Sequence, residues 1–135
     1  MDKSSQVIVF AVGICLLAWG SCTSGEQWRQ ELEYEVVREQ VYDRAPRTQV
    51  DQWLVVSGRL TPENLRGLLG ARYDSIMTRG TYQANVRPTN VFVYLFESEA
   101  EARRGGPGWV AMLEKRSGSD FSIRLNKQAF SETGR

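Results

Sequence analysis

Three groups of side chains in this sequence have residue types that chemistry uses. The first is Arg103-Arg104-Gly105-Gly106-Pro107-Gly108-Trp109. Backbone amides of a glycine loop beside two guanidiniums suit an anion, and an indole suits a ring or a sugar face. Against that, Pro107 has no amide to offer, and paired arginines equally suit an ordinary helix C-terminus, where they meet the negative end of the dipole. The second group is Glu97, Glu99 and Glu101, oxygen ligands of the kind that hold a divalent ion. A calcium loop needs more ligands at a set spacing, so these acids read as the solvated start of a helix, and no metal is expected. The third is Tyr73 and Tyr82 with Glu63 or Asp74. Carboxylate catalysis of glycoside cleavage would need two acids about 5–10 Å apart across a cleft, which spacing along a chain does not supply.

The missing residue types narrow the chemistry further. The chain has no histidine, which removes every imidazole base, histidine triad and imidazole metal site. There is no Gly-x-Gly-x-x-Gly and no phosphate loop followed by Lys-Ser/Thr, so no cofactor is expected. Lys and Arg number 17 against 16 Asp and Glu, a net charge of +1, so there is no electrostatic case for nucleic acid. Lysine occurs only as Lys3, Lys115 and Lys127, and arginine carries nearly all the positive charge. Guanidinium forks suit carboxylates and phosphates, but along the chain the arginines are scattered.

The N-terminus is a short charged head, Met1-Asp2-Lys3, then an apolar run from Val7 to Gly20, then Ser21 and Cys22. This is the layout of a secretory signal peptide, and the run is shorter than the roughly 20 apolar residues that span a bilayer. The segment Ala18-Trp19-Gly20-Ser21-Cys22 resembles the lipobox of bacterial lipoproteins. The small Gly20 and Ser21 match the two positions before the cysteine; Trp19 stands where that family usually has Leu. The resemblance implies cleavage before Cys22 and lipid attachment to its sulfur, hence an exported protein anchored in a bacterial cell membrane or outer membrane with its domain in the periplasm or outside the cell. Removal of the run also removes Cys15, leaving Cys22 as the only cysteine. An unpaired thiol in an oxidising compartment invites intermolecular disulfides, and a thioether removes that hazard. The expected division is a signal peptide 1–21, a lipidated tether 22–30, one domain 31–127 and a flexible tail 128–135.

The elements that would position these side chains are read from periodicity. Residues 26–31 suggest a short helix. In 32–42, Leu32, Tyr34 and Val36 alternate with charges as in a half-buried strand, while Trp28, Leu32, Val37 and Val41 also fit a helix; we favour the strand. Residues 50–57 are apolar on both faces and predict a central strand. Thr61-Pro62-Glu63 is a helix start, with a hydroxyl cap, proline at the first position and an acid at the positive dipole end. Leu65, Leu68, Leu69, Tyr73, Ile76 and Met77 then form one apolar stripe through a helix over 62–78. Gly67 and Gly70 within it suggest close approach of the helix backbone to a sheet. Strands follow at 91–96, 109–114 and 121–126, with a short helix at 98–104 opened by the capping box Ser98-x-x-Glu101.

This order predicts an α+β fold, a small mixed or antiparallel sheet of about five strands with one main helix on one face. Strands 50–57 and 91–96 could run parallel across that helix. Phe92, Tyr94 and Phe96 then fall on the opposite face, which the N-terminal segment or a partner would have to cover. The strand–helix–strand order resembles small bacterial domains of no assigned activity. The function expected is a non-catalytic binding or protein-interaction module, held to the membrane by its lipid. Its contact residues would be Arg103, Arg104, Gly105, Gly106 and Trp109, and its partner an envelope protein or a small anionic ligand. A small hydrolase using carboxylates and a purely structural lipoprotein are the alternatives.

Overall fold

A computed structural model describes residues 26–126. The segments expected to be a signal peptide and a tail, together with Cys22 and the start of the expected tether, lie outside these residues. A short helix, α1 (Trp28–Glu31), leads into β1 (Leu32–Arg44), which turns at Ala45-Pro46 into β2 (Arg47–Gly58). Helix α2 (Pro62–Met77) carries the chain back, so that β3 (Asn90–Phe96) lies parallel to β2. Helix α3 (Glu99–Arg104) precedes the hairpin of β4 (Ala111–Lys115) and β5 (Ser122–Leu125). The strands form one sheet in the order β1-β2-β3-β4-β5, antiparallel everywhere except between β2 and β3. The fold is α+β, as the periodicity predicts.

Local chemistry accounts for the helices. Thr61 Oγ1 accepts a hydrogen bond from the Asn64 amide at 3.1 Å, and Pro62 opens α2 where its missing N–H costs nothing. The helix stops at Met77, ahead of Gly80, because Thr78 turns its own hydroxyl back onto the Asp74 carbonyl at 2.8 Å. Ser98 Oγ caps α3 by accepting from the Glu101 amide at 3.2 Å.

The apolar stripe of α2 covers one face of the sheet. Leu65, Leu68, Leu69 and Ile76 are fully buried against Val50 and Leu54 of β2, Val91, Val93 and Leu95 of β3, and Leu113 of β4. Each such side chain contributes about 1.5–3 kcal/mol by leaving water. The N-terminal segment lies on this side as well. Trp28 is buried in the same cluster, and Asn64 Nδ2 ties α1 to α2 by donating to Glu31 Oε1 at 2.7 Å and to the Arg59 carbonyl at 2.9 Å. Gly67 therefore makes room for an indole rather than for the sheet: a Cβ there would run into Trp28 Cδ1. At Gly70 nothing lies close enough for a side chain to meet.

β1 owes its double periodicity to a bulge. Val36 pairs with Leu54 and Arg38 with the adjacent Trp53, so Val37 is an extra residue between them. Before it, Leu32, Tyr34 and Val36 point to the α2 side. After it, Glu39, Val41 and Asp43 do, since they pair with Gln52, Val50 and Thr48 on the α2-facing side of β2. A strand that changes phase once mimics the 3.6 period of a helix.

Candidate functional site

The face of the sheet away from α2 is built differently. Its middle row runs across all five strands: Arg38, Trp53, Tyr94, Met112 and Arg124 are successive cross-strand partners. These are planar or polarisable groups in contact. The Arg38 guanidinium carbon lies 4.0 Å from the centroid of the Trp53 ring. Trp53 stacks on Tyr94 at 5.7 Å with 19° between planes. Arg124 Nη2 reaches the Met112 sulfur at 3.5 Å, and the same guanidinium sits 6.0 Å over the Trp109 ring. The next row is Gln40, Asp51, Phe92, Glu114 and Ser122, with Arg116 over the Phe92 ring at 5.3 Å. Glu114 is ion-paired to both Arg116 and Arg124.

Helix α3 covers one end of this face only. Ala102 is buried with Trp53 and Phe96, and Val37, Tyr94 and Trp109 pack around them. Gly105 closes α3 in the left-handed region at φ 75°, its amide bonded to the Glu101 carbonyl at 2.9 Å. The absent side chain has a second use, since a Cβ there would stand 2.6 Å from Arg38 Nη2. Arg38 is thus held between an indole and a glycine, with its buried Nε lacking a hydrogen-bond partner. The ring face of Trp53 takes the place of that partner.

Two ionisable groups in this face are displaced from their ordinary range. Burial pushes the Asp51 carboxyl upward; Gln49 Nε2, donating to both its oxygens at 3.1 and 3.2 Å, and the charges of Arg38 and Arg47 only partly oppose this. Burial likewise raises the Tyr94 phenol, with the nearby Asp51 and Glu114 adding to the shift.

The sequence-predicted contact residues meet this face at its covered end. Arg103 is tied to Glu99 one turn back, Arg104 is exposed, and Gly106 has open space where a Cβ would be. Trp109 is half-buried rather than free, its carbonyl accepting from Asn126 Nδ2 at 3.1 Å. The glycine loop joins α3 to the arginine–aromatic row. The acids behave as a helix start: Glu99 is ion-paired and Glu101 caps through its amide. Among the described residues no group of acids is placed to hold a metal ion. Tyr73 packs on Phe121 at 4.6 Å, and the Tyr82 hydroxyl donates to the Ile76 carbonyl at 2.9 Å. Glu63 and Asp74 sit toward opposite ends of α2, so the third constellation is not assembled.

Arg38, Asp51, Tyr94, Met112 and Arg124 are the residues that reading the sequence missed as a site. The available signal was alternation: in β2, β3, β4 and β5 every second residue faces this side. Only strand register shows that they share a row.

No protein-family model matches the chain, and neither the curated proteins nor the solved structures include a match to it.

Proposed function

We propose that this protein is a lipid-anchored, non-catalytic binding module of the bacterial cell envelope, attached through Cys22, and that the sheet face opposite α2 is its contact surface. The observation that supports the contact surface is the row Arg38–Trp53–Tyr94–Met112–Arg124. Both faces of the Trp53 ring are already occupied, by Arg38 and by Tyr94, so this row does not offer the indole as a stacking platform for a sugar. It offers ring edges, a phenol and guanidiniums, groups that favour the carboxylates of a protein partner or small anion. Photo-crosslinking in cells tests the surface. A crosslinker at Gln49 or Arg124 should trap the same partner, while one at Arg66 on the outer side of α2 should not; equal trapping from Arg66 would remove the face from consideration. Cys22→Ser should abolish fatty-acid labelling, and labelling that persists would overturn the anchor.

One observation favours a second reading, a carboxylate hydrolase. Asp51 and Glu114 flank Phe92 in one row, their backbones two strand spacings or about 10 Å apart. Asp51, pushed toward its protonated form, is the acid. Turnover of envelope glycan that is lost in Asp51→Asn would establish this reading; no turnover by the intact chain would dismiss it.

A further inference from the structure

Two of the arginines that look scattered along the chain meet at one end of the sheet. β1 is 13 residues long, about 40 Å at 3.3 Å per residue, and its two ends differ in character. The end beside α1 carries Glu31, Glu33 and Glu35. The far end, at the β1–β2 turn, carries Arg44 and Arg47, which are direct cross-strand partners. Like charges opposite one another cost stability, and neither of these two arginines is ion-paired with an acid among the described residues. Two exposed side chains stand at the same end: Tyr42, 45% exposed, shares the face of the two arginines with the Arg47 guanidinium 4.4 Å over its ring, and Val86, 85% exposed, follows Asn85, which is bonded to the Pro46 carbonyl of the turn.

This end is also held firmly. The Asp43 carboxylate accepts the backbone amides of Gln83 at 2.7 Å and Ala84 at 2.9 Å and the Thr48 hydroxyl at 3.0 Å. Asn85 Nδ2 donates to the Pro46 carbonyl at 3.2 Å and to Thr48 Oγ1 at 3.0 Å. Asp43 is thus consumed in stapling the loop that carries the exposed Val86. An exposed aliphatic residue gains nothing from a soluble polyanion. The headgroup region of an anionic bilayer rewards both features: arginine is attracted to the surface charge, and apolar side chains enter the acyl boundary.

We infer that the β1–β2 turn with residues 83–87 is a docking tip for an anionic lipid bilayer. Arg44 and Arg47 stand at the far end of the open sheet face, three residue pairs beyond Arg38 and Trp53 when Gln40–Asp51, Tyr42–Gln49 and their own pair are counted, and the tip is independent of Cys22. To test it, the full chain is reconstituted in phosphatidylcholine vesicles, and capture of a second, fluorescent vesicle population is measured. Vesicles with about 30% phosphatidylglycerol should be captured and pure phosphatidylcholine vesicles should not. Arg44→Gln and Arg47→Gln should each weaken capture about fivefold, the effect of one basic residue at an anionic surface. Val86→Asp should weaken it at least as much, and Val86→Leu should preserve it; thermal unfolding of each variant reports that the exposed substitutions leave the fold intact. Absence of capture, or capture unchanged by Val86→Asp, would overturn the inference. So would full displacement by polyphosphate at a phosphate concentration matching the lipid, which would mean that the arginines read phosphate alone.

Discussion

The two faces of this sheet solve different problems. The face under α2 is aliphatic, dry and closed, with Leu65, Leu68, Leu69, Val50, Leu54 and Val93 all fully buried. The other is made of arginine, aromatic rings and sulfur and is covered at one end by the six-residue helix α3. Trp53, Phe96 and Met112 are buried there, Arg38, Tyr94 and Trp109 half-buried, and Arg124 exposed. Stability is thereby concentrated on one side, leaving the other side free to carry groups that would be costly in a core. A buried guanidinium Nε without a hydrogen-bond partner is tolerable where an indole lies on it and a glycine yields to it.

That contrast can be broken by substitution. The largest effect belongs to the closed face. Leu68→Ala should cost about 2–5 kcal/mol, the range for deleting a fully buried leucine side chain, read as a lower urea midpoint. Gly67→Ala comes next, at about 1–3 kcal/mol, because the added methyl overpacks against the Trp28 indole; Gly70→Ala, with open space around it, should be neutral or stabilising. A smaller and signed effect separates two aspartates. Amides of Gln83 and Ala84 hold the Asp43 carboxyl below its usual range. Its ionised form therefore stabilises the fold at neutral pH, and that contribution is lost as pH falls through its folded value. Asp51 is raised by burial, so its ionised form is a cost at neutral pH that vanishes on acidification. Asp43→Asn should lower the urea midpoint at pH 7 and Asp51→Asn should raise it, both differences closing below about pH 4. The smallest effect is on the open face: Arg124→Ala should change stability by roughly 0.5 kcal/mol or less yet reduce partner crosslinking from Gln49. A large stability loss there would erase the distinction between the faces.

The elements that were legible in the sequence are those whose signals are local. Thr61-Pro62 and Ser98 mark helix starts by hydrogen bonds within one turn, and β3 is apolar on both faces because it is the central strand. β1 resisted because Val37 shifts its phase, making one strand look like two overlapping patterns. The reason for Gly67 was hidden for a different cause: its neighbour, Trp28, approaches from α1 and not from the sheet. The row across the open face was illegible because its five residues come from five strands, and no pattern along the chain records which side chains register brings abreast. The arginine pair at the far end of β1 was hidden likewise, since only the hairpin register sets Arg44 opposite Arg47.

The bulge at Val37 also sets where this chain can change length. Loss of Val37 would leave Val36 beside Arg38 in unbroken alternation and keep every later β1 residue on its present face. Loss of Gln40 would turn Val41 and Asp43 to the arginine side, pulling the carboxylate away from Gln83 and Ala84. Single-residue deletions in this strand should therefore be accepted at the bulge and rejected beyond it, so that among descendants of this sequence the strand varies in length at one place and in composition elsewhere.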